Sequence, residues 1–458
     1  MKITRPNGFE RWTRKWLSFP ALLLVVSISA CSGGGGGDIS AVEPGKESTP
    51  PVIVTQEDGL TGRFIVGYQG WFGCPGDFEG NSEWLHWFHG LPGANTLLVD
   101  MLPNIAELSP TDLCNTGLTG QDGQPIYVFS SQNPNIVDYH FKVLARNGVK
   151  TVALQRFVVE IENPQRKRRL DNVLKNVMAA AERNGVSFFI SYDVTNANPN
   201  TVIKTIREDW RFLSGELNVV RHARYVVDSG KPVLQLWGFG VIDNHPGEPA
   251  EVASLLADLK SGRDGLVAVT TIGGVAAGWR TLEGDSKSDP AWSQVYLSFD
   301  ILSPWTVGHY INEASTTLFF EQRLRADVVF ANAHGVRYLP VIFPGFSWFN
   351  MMNVRGQPDK AIVNQIPRDC GNFLWRQATL LRAYGVKMAY GAMADEYDEG
   401  TALLPAQVSR DKFPSNIQGV YLDQDGCDLQ ADWYSILAGR IAGHFRNGTI
   451  PETLSIGR

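Results

Sequence analysis

Several things are scarce in this 458-residue chain. It has no basic surplus: 41 Lys and Arg stand against 47 Asp and Glu, a formal net charge of -6. The first 30 residues hold Lys2, Arg5, Arg11, Arg14 and Lys15 against Glu10, so the remainder is more acidic still, near about -10. A chain of that sign does not neutralise phosphates, which argues against a nucleic-acid partner. Five cysteines are too few for a disulfide scaffold of this length. No internal repeat recurs at a fixed period. No glycine-rich phosphate loop opens a helix, and no Gly-x-Ser-x-Gly elbow is present, which leaves nucleotide cofactors and serine hydrolysis without support. His86, His89, His309 and His334 do not fall at metal-ligand spacing, and Asp423-Gln-Asp425-Gly-Cys-Asp428 lacks the other ligands of an EF-hand loop, so it reads as an Asx-rich turn. Neither metal nor cofactor is expected.

What the chain does have is a core. Apolar residues make up 43% and charged ones 19%, with 13 Trp, 13 Tyr and 23 Phe, which excludes a disordered, collagenous or coiled-coil protein. Length allows two or three average domains or one large barrel.

The basic segment Arg11 to Lys15 precedes an apolar run, Leu17 to Ile28, that is too short for a comfortable membrane span but suits a signal peptide. Ile28-Ser29-Ala30-Cys31 resembles a bacterial lipobox, which implies lipidation of Cys31 and delivery to the cell envelope; Ser32 in the next position points to the outer membrane. A short anchor helix with an incidental Cys is the alternative. Residues 1–30 are thus expected to be a lipoprotein signal, 31–58 a flexible Gly, Ser and Pro tether, and 59–458 the working domain, a monomer held to a membrane through Cys31. Four cysteines remain in an oxidising compartment. Cys74 with Cys114 and Cys370 with Cys427 is the preferred pairing, with free buried thiols the alternative.

Short apolar, β-branched runs recur at 64–68, 151–155, 187–191, 232–236, 266–270, 299–302, 338–342 and 388–390. Amphipathic stretches lie between many of them. In one, Leu170, Val173, Leu174, Val177 and Ala181 form a stripe of helical period that Gly185 ends. Eight buried strands alternating with helices predict an α/β fold, a single (β/α)8 TIM barrel, with an open doubly wound sheet as the alternative. A ninth run, Thr96 to Asp100, is assigned to a long insertion after the first strand.

In a barrel of this kind the site lies where strands end. Those positions carry Tyr68, Trp71, Arg156, Asp193, Trp237, Trp305 and Trp348, then Asp395-Glu396-Tyr397-Asp398-Glu399, four carboxylates in five residues. Aromatic faces among carboxylates suit a sugar, whose C–H groups stack and whose hydroxyls bond. Alternatively the aromatics simply fill the barrel mouth. In a strand Glu396 and Glu399 would face opposite ways; in a helical turn they share a face, with Cβ atoms roughly 5–6 Å apart. Two such carboxylates are the equipment of a retaining glycosidase. A solvated acidic loop explains the same spacing.

Gly67-Tyr-Gln-Gly-Trp-Phe72, Trp84-x-His86-Trp87 and Asp395-Glu-Tyr-Asp-Glu-Gly-Thr401 resemble the opening and closing motifs of glycoside hydrolase family 99, endo-acting α-mannosidases and α-mannanases on a (β/α)8 barrel. From about Val66 to Trp433 the chain is similar to a bacterial branch labelled family 71/99-like or xylosidase/arabinosidase, through Val99-Asp-Met101, Leu154-Gln-Arg-Phe157, Ser303-Pro-Trp305 and Phe343-Pro-Gly-Phe-Ser-Trp348. The resemblance implies a polysaccharide or oligosaccharide substrate, Glu399 as general acid/base, and Glu396 as the carboxylate that removes the 2-hydroxyl proton on the way to a 1,2-anhydro sugar. Asp395 and Tyr397 join the substrate-binding candidates by position. The family motif has Asn, Trp and His where this chain has Asp395, Tyr397 and Asp398, so mannose specificity is not carried over. A non-catalytic glycan-binding lipoprotein of the same fold, and a transglycosylase, are the competing functions.

Overall fold

The computed structural model describes residues 59–456. The signal segment, Cys31 and the tether lie outside the described residues. Twelve strands are described: β1 (Phe64–Tyr68), β2 (Leu113–Thr119), β3 (Pro125–Phe129), β4 (Thr151–Phe157), β5 (Ser187–Asp193), β6 (Val227–Asp228), β7 (Lys231–Trp237), β8 (Thr270–Ala276), β9 (Ile301–Trp305), β10 (Arg337–Tyr338), β11 (Val341–Ile342) and β12 (Ala389–Gly391). The main sheet runs β10-β9-β8-β7-β5-β4-β1-β12-β11 with all neighbours parallel, and β6 adds antiparallel to β7.

The two ends of that sheet are one stretch of chain. Residues 337–342 pair through β10 with β9 and through β11 with β12, and Pro340, which has no N–H to give the ladder, marks the break between them. Leu339 N donates to Leu302 O at 2.8 Å and Pro340 O accepts from Tyr390 N at 3.0 Å, so pairing continues on both sides. The sheet therefore closes, and the chain is the expected (β/α)8 barrel.

Each barrel strand is followed by helix on the outside: Pro134–Arg146, Pro164–Asn184, Val202–Arg211, Pro249–Ser261, Ala291–Leu297, 313–333, Asn372–Ala383 and Trp433–Asn447. Their ends follow local chemistry. Asn163 accepts from the backbone of Gln165 and Arg166, Pro164 sits in the first turn, and Gly185 at φ 66° stops the helix; Val173, Leu174, Val177, Ala180 and Ala181 form its buried stripe. Among the described residues no helix is long and apolar enough to cross a membrane.

The run Thr96 to Asp100 does fall in the insertion between β1 and β4, but it makes only an isolated bridge, Phe88 with Leu97. The insertion's regular structure is instead the β2–β3 hairpin. The strand expected at 266–270 lies at Thr270–Ala276. Its glycines are there for room: a Cβ on Gly274 would meet the Trp237 ring at 2.2 Å, and one on Gly273 the Phe299 ring at 2.7 Å. Cys74–Cys114 and Cys370–Cys427 are both disulfides, the first tying the insertion to its own start and the second joining the loops beyond the last two barrel strands.

Candidate active site

Strand register decides which side chains look into the barrel. Phe157, Asp193, Trp237, Gly274 and Ser303 pair across β4, β5, β7, β8 and β9 and form the top inward row; Gln155, Ser191 and Gln235 form the row below. Asp193 is 5% exposed, accepts from Thr195 N at 2.8 Å and from Gln155 Nε2 at 3.3 Å, and has its proton affinity raised by burial. Trp237 and Trp305 are partly exposed and meet edge to face with centroids 5.4 Å apart. Trp348, also partly exposed, donates Nε1 to Lys360 O at 3.2 Å. Trp71 carries His86 stacked on it, 3.9 Å between centroids and 11° between planes, so one of its faces is already covered.

The loop after β12 is welded to the end of β1. Ala394 N donates to Gly67 O at 2.7 Å, and the Asp395 carboxylate accepts from Gln69 N at 2.7 Å and Gly70 N at 2.9 Å. Asp395 is fully buried, which pushes its pKa up to about 7. It is part of the frame, not a wall of the cleft.

From that anchor the backbone turns at 397–400, so the acidic segment is bent and not extended. Glu396, 4% exposed, accepts from Gln69 Nε2 at 2.8 Å and from Thr401 Oγ1 at 2.7 Å. Glu399 is partly exposed; its backbone carbonyl accepts from Ser347 N at 2.9 Å, and Gly400 at φ 64° permits that approach, because a Cβ there would stand 3.0 Å from Ser347 N. Burial raises the proton affinity of Glu396 well above the carboxylate range, and the charges of Glu399 and Asp398 raise it further. Burial, then the charge of Asp398, lifts Glu399 to about 7, against the opposing charge of Arg355. Near neutral pH the pair therefore holds a proton. Two hydrogen-bond donors, Gln69 and Thr401, favour the charge on Glu396.

Three expected substrate contacts point elsewhere. Tyr68 is fully buried and its hydroxyl meets His140 Nδ1 at 2.9 Å, in the helix layer. Arg156 pairs with Asp209 at 2.6 and 2.7 Å and with Asp171 at 2.7 Å, under the helices Pro164–Asn184 and Val202–Arg211. Tyr397 donates to Pro405 O at 3.0 Å and packs against Phe72, Trp87 and Phe129. For Arg156 the cause is pleat: neighbours on a strand face opposite ways, so Gln155 and Phe157 look inward and Arg156 between them looks out.

Several residues of the site were not expected. Gln69 and Thr401 hold Glu396. His86 Nδ1 lies 3.2 Å from Asp398 Oδ2, and His86 adopts φ 61°, uncommon for a residue with a side chain. Each carried a signal in its place inside a motif: Gln69 in Gly67 to Phe72, His86 in Trp84 to Trp87, and Thr401 at the end of Asp395 to Thr401. Among the described residues no group of three or more His, Cys, Asp or Glu is placed to hold a metal.

No family model matches the sequence, and no curated protein matches it. Solved structures do. The GH99 endo-alpha-mannosidase from Bacteroides thetaiotaomicron aligns with 86% of this chain and 100% of its own, at 16% identity and a TM-score of 0.61. The same enzyme in complex with bis-tris-propane aligns at 17% identity and a TM-score of 0.60, covering 85% of this chain and 99% of that one. A glycoside hydrolase-like protein aligns at 13% identity and a TM-score of 0.50, over 86% and 97%. The chain has a family 99-like glycoside hydrolase fold. The match spans both the barrel and nearly the whole length of the neighbours.

Proposed function

We propose that the protein is a glycoside hydrolase that cuts an α-linked polysaccharide or oligosaccharide within the chain and with retention of configuration. The single observation that carries this is the Glu396–Glu399 turn, in which two carboxylates of raised proton affinity are presented at the barrel mouth, one of them held by two donors. Endo action and α-linkage are drawn from the resemblance of the motifs and from the likeness to a solved endo-alpha-mannosidase fold.

In the proposed reaction ionised Glu396 takes the proton from the sugar O2, and O2 closes on C1. The C1–O bond to the leaving group breaks as Glu399 gives that oxygen its proton. Water then adds to C1 as the C1–O2 bond breaks, giving a proton back to Glu399, while Glu396 returns its proton to O2. In this proposal the pair's shared proton sits on Glu399: the donors on Glu396 oppose the burial that raises its proton affinity, and burial with the charge of Asp398 favours the proton on Glu399. Trp237, Trp305 and Trp348 supply faces for flanking sugar rings and Asp193 an acceptor for hydroxyls. We further propose that the enzyme works as a monomer at the cell envelope, tethered through lipid on Cys31.

The test is a glycan panel incubated with wild type, Glu399→Gln and Glu396→Gln. Release of product by the wild type, lost by on the order of 100-fold or more in each variant, supports hydrolysis. Sugar binding by all three with product from none would make the protein a glycan-binding lipoprotein instead.

A further inference from the structure

Asp100 lies in the insertion between β1 and β4, fully buried, and has no place in the proposed reaction. Its contacts nevertheless converge on the two loops that carry the site. Its carboxylate accepts from Ser347 Oγ at 2.5 Å, Phe349 N at 2.6 Å and Asn350 N at 2.8 Å, at the start of the short helix Phe349–Val354. Its own N–H, with that of Met101, donates to Tyr397 O inside the acidic turn, at 3.2 and 3.1 Å. Its carbonyl accepts from Val420 N at 2.6 Å, and Asn350 Nδ2 reaches Val99 O and Gln418 O. One residue thus ties the loop after β11, the turn after β12 and the segment near 420 together.

Granting the hydrolase assignment above, we infer that Asp100 is a positioning residue for Glu399. The route is short. Ser347, fixed through its hydroxyl by Asp100, donates its N–H to Glu399 O. The helix that Asp100 caps ends at Arg355, whose charge faces Glu399 and Asp398, and begins after Trp348. Removing the anchor frees Ser347 from Asp100 and loosens Arg355 together, so Glu399 is less well aimed and less opposed by positive charge. The buried carboxylate, raised to about 6 by desolvation, is retained at a cost that a purely apolar packing residue would avoid.

The test compares Asp100→Asn with wild type, and Ser347→Ala as a milder variant that still folds if the first does not. Either is expected to lower kcat about 10-fold or more with KM changed by less than about twofold, and Asp100→Asn to move the alkaline limb of the pH–rate profile up by about half a unit as Arg355 recedes. Loss of thermal stability with kcat and the alkaline limb unchanged would overturn the inference and leave Asp100 a scaffold residue. If the wild type cleaves no glycan, the hydrolase assignment fails separately. The inference is then read from the pH titration of the Glu399 side-chain carboxyl carbon by NMR: a displaced titration in the variants supports it and an unchanged one overturns it.

Discussion

Gln69 Nε2 donates to Glu396 Oε1 at 2.8 Å, across the seam where the first and last barrel strands meet. The same residue's backbone N–H holds Asp395, so one glutamine fixes both the frame and the charge of the acidic turn. A hydrogen bond to the charged form lowers a carboxyl's proton affinity. Gln69→Leu should therefore raise that of Glu396, move the acid limb of kcat/KM to higher pH, and cut activity about 10-fold at neutral pH. An unmoved acid limb would separate Glu396 from the ionised role.

Trp237 and Trp305 meet edge to face, and Gly274 makes the room for Trp237. Trp305→Ala should weaken oligosaccharide binding by about 1–2 kcal/mol, roughly tenfold, with kcat less affected; isothermal titration in the Glu399→Gln background measures it. Trp237→Ala should weaken it at least as much, because Trp305 also loses its neighbour.

Arg156 is bound by Asp209 and Asp171 on the helix side of the barrel. Arg156→Leu leaves Asp209, a fully buried acid, without its main charge partner and should cost about 3–5 kcal/mol in a urea titration. KM of the protein that still folds should be unchanged. A raised KM at full stability would restore Arg156 to the cleft.

Glu399 holds its proton in the folded protein up to about pH 7, against an ordinary value of 4.5. Below about 4.5 it is neutral folded or unfolded, and above 7 it is charged in both, with the cost of burying that charge borne by the folded state. Its contribution therefore falls as pH rises from 4.5 to 7 and stays low above. Glu399→Gln should raise Tm by on the order of 2–4 °C at pH 8 and leave it nearly unchanged at pH 4.5. Equal gains at both pH values would contradict the raised proton affinity.

Much of the barrel was legible because its strands obey their own rules. The runs at 64–68, 151–155, 187–191 and 232–236 are strands where β-branched and aromatic residues predict them. β8 was displaced because Gly273 and Gly274 depress strand propensity for the sake of Phe299 and Trp237, a demand set by tertiary packing. The helix Val202–Arg211 and the β2–β3 hairpin went unexpected, although Asn198-Pro199 precedes the helix and Asp122-Gly123 marks the hairpin turn. For the site, residue type found the acidic turn and the tryptophans, but type does not tell inward from outward. That distinction needs register, which separates Asp193 from Arg156 and Gln69 from Tyr68. Asp100 stands in the Val99-Asp-Met101 motif, but its tie to a turn nearly 300 residues away is visible only once the chain is folded.

The most direct test is a crystal structure of the Glu399→Gln protein with an oligosaccharide bound. The glycosidic oxygen is expected within hydrogen-bond distance of the residue 399 side chain, the sugar O2 facing Glu396, and flanking rings against Trp237 or Trp305. An oligosaccharide bound elsewhere on the barrel, or one whose O2 lies beyond reach of Glu396, would contradict the account.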